Sequence, residues 1–164
     1  MFKNSLSDTP NIAPCKTTED QEIIIPEKYD WREQYPECVK PVLNSGNCSS
    51  SYAVTTLSVV TDRICQQTKQ PFNLSAQELI DCDKGSYGCD GGYVTRVLSW
   101  GKRKGFLPES CYPYTGVKGT CPEDHLESNE CRVHNNFYKV IDFCIAQDEK
   151  NIKKEIIKNG PVIS

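Results

Sequence analysis

Ten cysteines in 164 residues constrain this chain more than any other feature of its sequence. At that density cysteines ordinarily pair into a disulfide framework made in an oxidising compartment. The competing use of many cysteines is a zinc site, which draws on closely spaced ligand pairs. No C-x-x-C pair occurs, and the histidines are limited to His125 and His134. The spacing therefore favours disulfides, and no metal or cofactor is expected. Hydrophobic residues make up 37% and charged residues 25%, the balance of an ordinary globular protein of one domain or one and a fraction. A net charge of −3, with both signs interspersed, argues against a nucleic-acid or anionic-membrane surface, which would need a basic patch. No apolar run approaches a membrane span. The opening MFKNSLSDTPNIAPCK also lacks the apolar core of a signal peptide.

Residues 1–24 are polar and aperiodic, and read as an N-terminal arm or leader remnant; a domain is expected over 25–164. Between Ser50 and Gln67, Tyr52, Ala53, Leu57, Val60 and Ile64 recur at helical spacing, predicting a helix with one buried face. LSAQELIDC predicts a second helix, with Ser75 as N-cap and Glu78 completing a capping box. Gly91-Gly92-Tyr93 leads into VTRVLSWGKRKG, a third helix stopping near Gly105. Residues 108–131, rich in Pro, Gly and Cys, read as stapled loop. FYKVIDFCI (137–145) alternates like a strand. DEKNIKKEIIKNG reads as a short amphipathic helix carrying Ile152, Ile156 and Ile157, stopped by Asn159-Gly160 and Pro161. Helices first and strands later predict an α+β protein whose β part has barely begun where the sequence stops. N-x-S sequons begin at Asn47 and Asn73; such tripeptides are frequent by chance, and a glycan on Asn47 would crowd the loop it stands in.

Several phrases together resemble one family. IPEKYDWRE (25–33) is similar to the opening of the mature domain in papain-like cysteine peptidases. PVLNSGNCSSSYA (41–53) resembles their nucleophile loop, Asn-Gln-Gly-x-Cys-Gly-Ser-Cys-Trp-Ala. LIDCDKGSYGCDGGY (79–93) resembles the substrate-cleft segment, YPYTGVKGTC (112–121) the loop after it, and EIIKNGPV (155–162) the entry to the β-barrel. The resemblance implies a papain-like fold: a helical left lobe with a central helix, plus the start of a right-lobe β-barrel that is incomplete in this chain. It also implies disulfides Cys48–Cys89 and Cys82–Cys121. REQYPECVKP and TDRICQQ resemble phrases of cathepsin B-like members, implying a further bridge from Cys38 to Cys65. Cys111 and Cys131 are read as partners across the loop, while Cys15 and Cys144 stay unassigned.

A thiol protease needs a thiolate at a helix N-terminus, a histidine to pair with it, a group to orient that histidine, and oxyanion donors. The family's nucleophile signature is C-G-[SA]-C-[WY]. Here the phrase is Cys48-Ser49-Ser50-Ser51-Tyr52, so Ser51 stands at the nucleophile position. A hydroxyl is a far weaker nucleophile, because its pKa is too high for a helix dipole and an imidazole to ionise it. The family's oxyanion glutamine is replaced by Ser45, too short to reach the same point. Losing one such donor typically costs about two to three orders of magnitude in turnover. The catalytic histidine and its asparagine partner are expected beyond the GPV phrase, and His125 and His134 read as exposed loop residues.

The resemblance places Gly91 and Gly92 along an extended peptide ligand, with Tyr93 lining a side-chain pocket. The same two glycines also serve a tight turn before the helix. The expected function is a pseudoprotease that binds a peptide or protein in its cleft, or a structural subunit. The alternative is a cysteine-type endopeptidase seen in an incomplete or Cys-to-Ser inactivated form. The missing C-terminal half or a partner subunit is expected to cover the barrel edge, and the resemblance implies a lysosomal or secreted location.

Overall fold

The computed structural model describes residues 12–15, 23–123, 131 and 137–164. Five helices organise them: α1 (Trp31–Gln34), α2 (Ser51–Thr68), α3 (Ala76–Cys82), α4 (Val94–Arg103) and α5 (Glu149–Asn159). Short 3₁₀ turns cover Pro36–Cys38 and Gly88–Asp90.

The central helix α2 forms where the sequence predicts it, shifted by one residue toward the C-terminus. Its buried stripe is Tyr52, Ala53, Thr56, Leu57, Thr61 and Cys65. Val60 and Ile64, expected in that stripe, are half-buried. The two threonines take inward positions because their hydroxyls are satisfied within the helix. Thr56 Oγ1 donates to the Tyr52 carbonyl (2.6 Å), and Thr61 Oγ1 to the Ser58 carbonyl (2.8 Å). Lys69 ends the helix in the left-handed region (φ 60°), its N–H returning to the Cys65 carbonyl.

Helices α3 and α4 pack on α2 through Leu79, Val97 and Trp100, with Phe106 beneath them. Full burial of each such side chain stabilises the fold by roughly 1.5–3 kcal/mol. Close approach there needs a small residue: a Cβ at Gly101 would lie 2.3 Å from the Phe106 ring. Ser75 caps α3 as expected, accepting from the Glu78 N–H (3.0 Å). The return half of the capping box is replaced by a tertiary contact. The Ser75 N–H donates to the Leu107 carbonyl, and the buried Glu78 carboxylate accepts from the Leu107 N–H (3.0 Å). This ties α3 to the chain leaving α4.

A second cluster joins Trp31 to the Cys38–Cys65 disulfide, with Ile156 of α5 against it. Asp148 caps α5 through the Asn151 N–H (2.8 Å), and Gly160 stops it at φ 99°. Arg63 of α2 clamps this helix, donating to Glu155 Oε1 (3.0 Å) and to the Pro161 carbonyl (2.8 Å).

The run 137–145 does not form a laddered strand. Tyr138 bridges Phe106 antiparallel, Ile145 bridges Pro14 in parallel, and no strand of several residues accompanies the run among the described residues. The neighbour changes along its length, from the end of α4 to the N-terminal arm, so the alternation in sequence has no single partner. Ile141 between them is 90% exposed.

All ten cysteines are bonded. The pairs are Cys38–Cys65, Cys48–Cys89, Cys82–Cys121, Cys111–Cys131 and Cys15–Cys144. The last joins the two cysteines left unassigned from sequence, and it fastens the arm beside the Cys15 N–H to Ile145 carbonyl bond (2.9 Å). Among the described residues no helix is long and apolar enough to cross a membrane.

Candidate functional site

The site is built where the loop 44–50 delivers the chain into α2. Gly46 turns it at φ 64°, its N–H donating to Asn44 Oδ1 (2.8 Å). The Cys48–Cys89 disulfide and the Ser49 N–H to Cys89 carbonyl bond (2.9 Å) then stitch this loop to the segment before Gly91. Tyr114, from the 112–121 loop, closes the other side. Its hydroxyl donates to the Ser45 carbonyl (2.8 Å) and lies 2.9 Å from Ser50 Oγ. A phenol has one proton to give, so Ser50 is the donor in the second bond. Ser50, fully buried at the N-cap position, thus spends its hydroxyl on Tyr114 and makes no side-chain cap on α2.

Ser51 is the first residue of α2 and is exposed. Its hydroxyl has no hydrogen-bond partner among the described residues. As a first-turn residue its N–H also lacks an intrahelical acceptor, and it stands at the positive end of the helix dipole. Ser45 is half-buried, held through its carbonyl rather than its side chain. The loop that holds Ser45 thus runs directly into Ser51 on α2, and Tyr114 braces it at Ser45 and Ser50.

Gly91 and Gly92 lie on the far side of the disulfide, and each is glycine for its own reason. Gly91 has φ 112° with open space where a Cβ would stand, so its requirement is conformational. Gly92 has the opposite problem: a Cβ there would lie 2.5 Å from the Tyr52 ring. That ring is buried, its hydroxyl donating to the Gly88 carbonyl (3.2 Å). Burial, and then the nearby Asp83 carboxylate, pushes the Tyr52 phenol up to about 12. The Gly91 carbonyl accepts from the Tyr87 N–H (2.9 Å), whereas the Gly92 N–H and C=O have no partner among the described residues.

Tyr93, half-buried, precedes α4. Tyr87 meets it edge-on with ring centroids 6.3 Å apart and is 57% exposed. Reasoning from sequence passed over Tyr87, although it lies inside the cleft phrase at 79–93. His125 and His134 lie outside the described residues.

A groove of about 130 Å³ opens on another face of α2, lined by Leu43, Val54, Leu57, Leu74, Ala76 and Tyr114 among others. Glu109 sits at its edge, its carboxyl raised above the usual range by burial although it accepts from the Tyr114 N–H (2.7 Å). Beside it Val42 is 98% exposed and Leu43 more than half exposed.

A central helix opening from a loop that is cross-linked to a Gly-Gly edge is the helical lobe of a two-lobed peptidase fold. Residues 25–164 match the model of the papain family of cysteine proteases, and the chain belongs to that family. It is 31% identical over 143 residues to a cathepsin B-like protein, CP3, of Giardia intestinalis, covering 84% of this chain and 47% of that one. Against papain of Carica papaya it is 38% identical over 113 residues, covering 69% of this chain and 32% of papain. The structure superposes on procathepsin B S9 of Trypanosoma congolense with a TM-score of 0.77 at 25% identity, covering 91% of this chain and 54% of that one. The chain thus spans about half, or less, of the length of these relatives. The fold is papain-like, and the described residues supply mainly its helical lobe.

Proposed function

We propose that this protein is a family member that holds an extended peptide or protein segment in its cleft without cutting it. The observation that carries the reading is Ser51, an exposed serine on the first turn of α2 where the family's loop presents its thiol. A hydroxyl needs general-base removal of its proton, and a helix N-terminus does not supply a base. Ser45 removes a second catalytic part, since the family's side-chain oxyanion donor comes from that position. The binding side is better kept. The Gly92 N–H and C=O, without a partner among the described residues, offer backbone pairing to an extended ligand. Tyr87 and Tyr93 offer an aromatic wall beside it.

The apolar groove and exposed Val42 and Leu43 suit coverage by further chain or by a partner subunit. Five disulfides suit the lysosome or the secretory route of cathepsin-like proteins.

The test uses full-length protein with a panel of fluorogenic peptides, and Ser51→Ala as its control. The expected result is no turnover above the control, together with peptide binding that weakens in Tyr93→Ala. Turnover that disappears in Ser51→Ala overturns the proposal.

A further inference from the structure

We propose that Asn47 carries an N-linked glycan that stands over the mouth of the cleft. This rests on the non-cutting reading above, because a bulky sugar on the nucleophile loop is compatible with that reading and opposed to a working active site. Asn47, Cys48 and Ser49 form an N-x-S acceptor. Ser49 occupies the position that is glycine in the family phrase, so the departure from that phrase at 49 is what completes the acceptor.

The local structure suits a modified side chain. Asn47 is exposed in the turn after Gly46, where even an added Cβ at 46 would meet nothing within 4 Å. Neither the Asn47 side chain nor the Ser49 hydroxyl has a partner among the described residues, and Ser49 is exposed as well. The second acceptor differs: its hydroxyl, on Ser75, is fully buried and donates to the Tyr112 carbonyl. Cys48, between the acceptor residues, does not bar the reaction. Its partner Cys89 lies 41 residues further along, so Asn47 emerges during synthesis before that bridge can close. Ser51 lies four positions beyond Asn47, at most about 14 Å of extended chain, well within the reach of a core oligosaccharide.

The transfer balances with a lipid-diphosphate-linked oligosaccharide as donor. Asn47 Nδ2 forms a bond to the first sugar carbon, and the bond from that carbon to the diphosphate oxygen breaks. The lipid diphosphate leaves with the electron pair, and the amide gives one proton to a base of the transferring enzyme.

The experiment expresses the full chain through the secretory pathway of a glycosylating eukaryotic host and maps the peptide containing residue 47 by mass. The expected result is an oligosaccharide on Asn47, with a gel shift lost in Asn47→Gln and also in Ser49→Gly, which restores the family residue and leaves the asparagine. Peptide binding is expected to strengthen after enzymatic deglycosylation. An unmodified Asn47 in secreted protein with all five disulfides formed overturns the site. Unchanged binding on deglycosylation overturns its shielding of the cleft. Occupancy is read without any substrate, so it stands or falls separately from the turnover assay.

Discussion

Tyr114→Phe removes one oxygen and keeps the ring that lines the groove, which makes it a clean probe of how the loop before α2 is held. The oxygen makes two hydrogen bonds, to the Ser45 carbonyl (2.8 Å) and with Ser50 Oγ (2.9 Å). At roughly 0.5–1.5 kcal/mol net for each bond, the pair stabilises the native state by about 1–3 kcal/mol. Ser50 is fully buried, so its hydroxyl is left without water; Ser45 is only half-buried and recovers part of its loss. The expected cost is therefore about 1–2 kcal/mol. With a urea slope of about 2 kcal/mol/M, the unfolding midpoint falls by about 0.5–1 M. A double-mutant cycle with Ser50→Ala isolates the hydroxyl pair, with an expected coupling of about 0.5–1.5 kcal/mol. Ser50 cannot mask this by turning to cap α2, because its ψ of 16° is not the extended conformation that a capping side chain uses. A coupling below about 0.3 kcal/mol would refute the reasoning and leave Tyr114 a groove residue only.

Gly92→Ala forces a methyl against the locked Tyr52 ring at 2.5 Å and is expected to cost about 1–3 kcal/mol, read from the same urea midpoint. Stability is expected to fall as pH rises from about 10 to 12, since the buried Tyr52 phenol keeps its proton in the folded state up to about 12 while the unfolded chain releases it near 10. Below pH 10 both states hold the proton and no slope arises from this group; Tyr52→Phe should make the alkaline limb of a pH series shallower, the remainder belonging to Tyr112, whose phenol is also pushed up to about 12 by burial and the Asp81 contact. Graded reduction followed by alkylation and mass mapping is expected to open Cys15–Cys144 first, because Cys144 is exposed, and Cys38–Cys65 last, because both its residues are 1% exposed.

What sequence made legible was local, and what it hid was distant. The α2 helix, the Ser75 cap and the Gly160 stop follow from residues within a turn or two of one another. The family phrases added the cleft disulfide, its glycines and the loop serines. The partners of those same groups were invisible. Nothing near Glu78 in sequence reveals that its carboxylate serves the Leu107 N–H, 29 residues on. Nor does anything near Ser50 point to Tyr114, 64 residues away. At Gly92 the sequence suggests a turn or a ligand contact, and the Tyr52 ring behind it adds a third reason for glycine. Packing demands the glycine, and its backbone N–H and C=O have no partner among the described residues. The alternation at 137–145 misled for the converse reason: a strand pattern describes one chain, and a strand needs a neighbour along its whole length.

Those distant contacts separate the architecture of the cleft from the chemistry of residue 51. Tyr114, the Cys48–Cys89 bridge and the Gly92–Tyr52 contact fix the loop, and the Ser51 side chain takes part in none of them. Ser51→Cys is consequently expected to change stability by less than about 0.5 kcal/mol, as an exposed substitution away from packed features does. Because every other cysteine is bonded, the new thiol would be the one group open to alkylation. At the first turn of α2 its pKa should fall below the usual value of about 8.5, and the rate of iodoacetamide labelling against pH reads it directly. A midpoint at or above about 8.5 would mean that the dipole of α2 does not act on this position, and that the likeness to the family's nucleophile loop ends at the backbone. A depressed midpoint without peptide cleavage would instead locate the deficit beyond the nucleophile, with Ser45→Gln the next residue to restore.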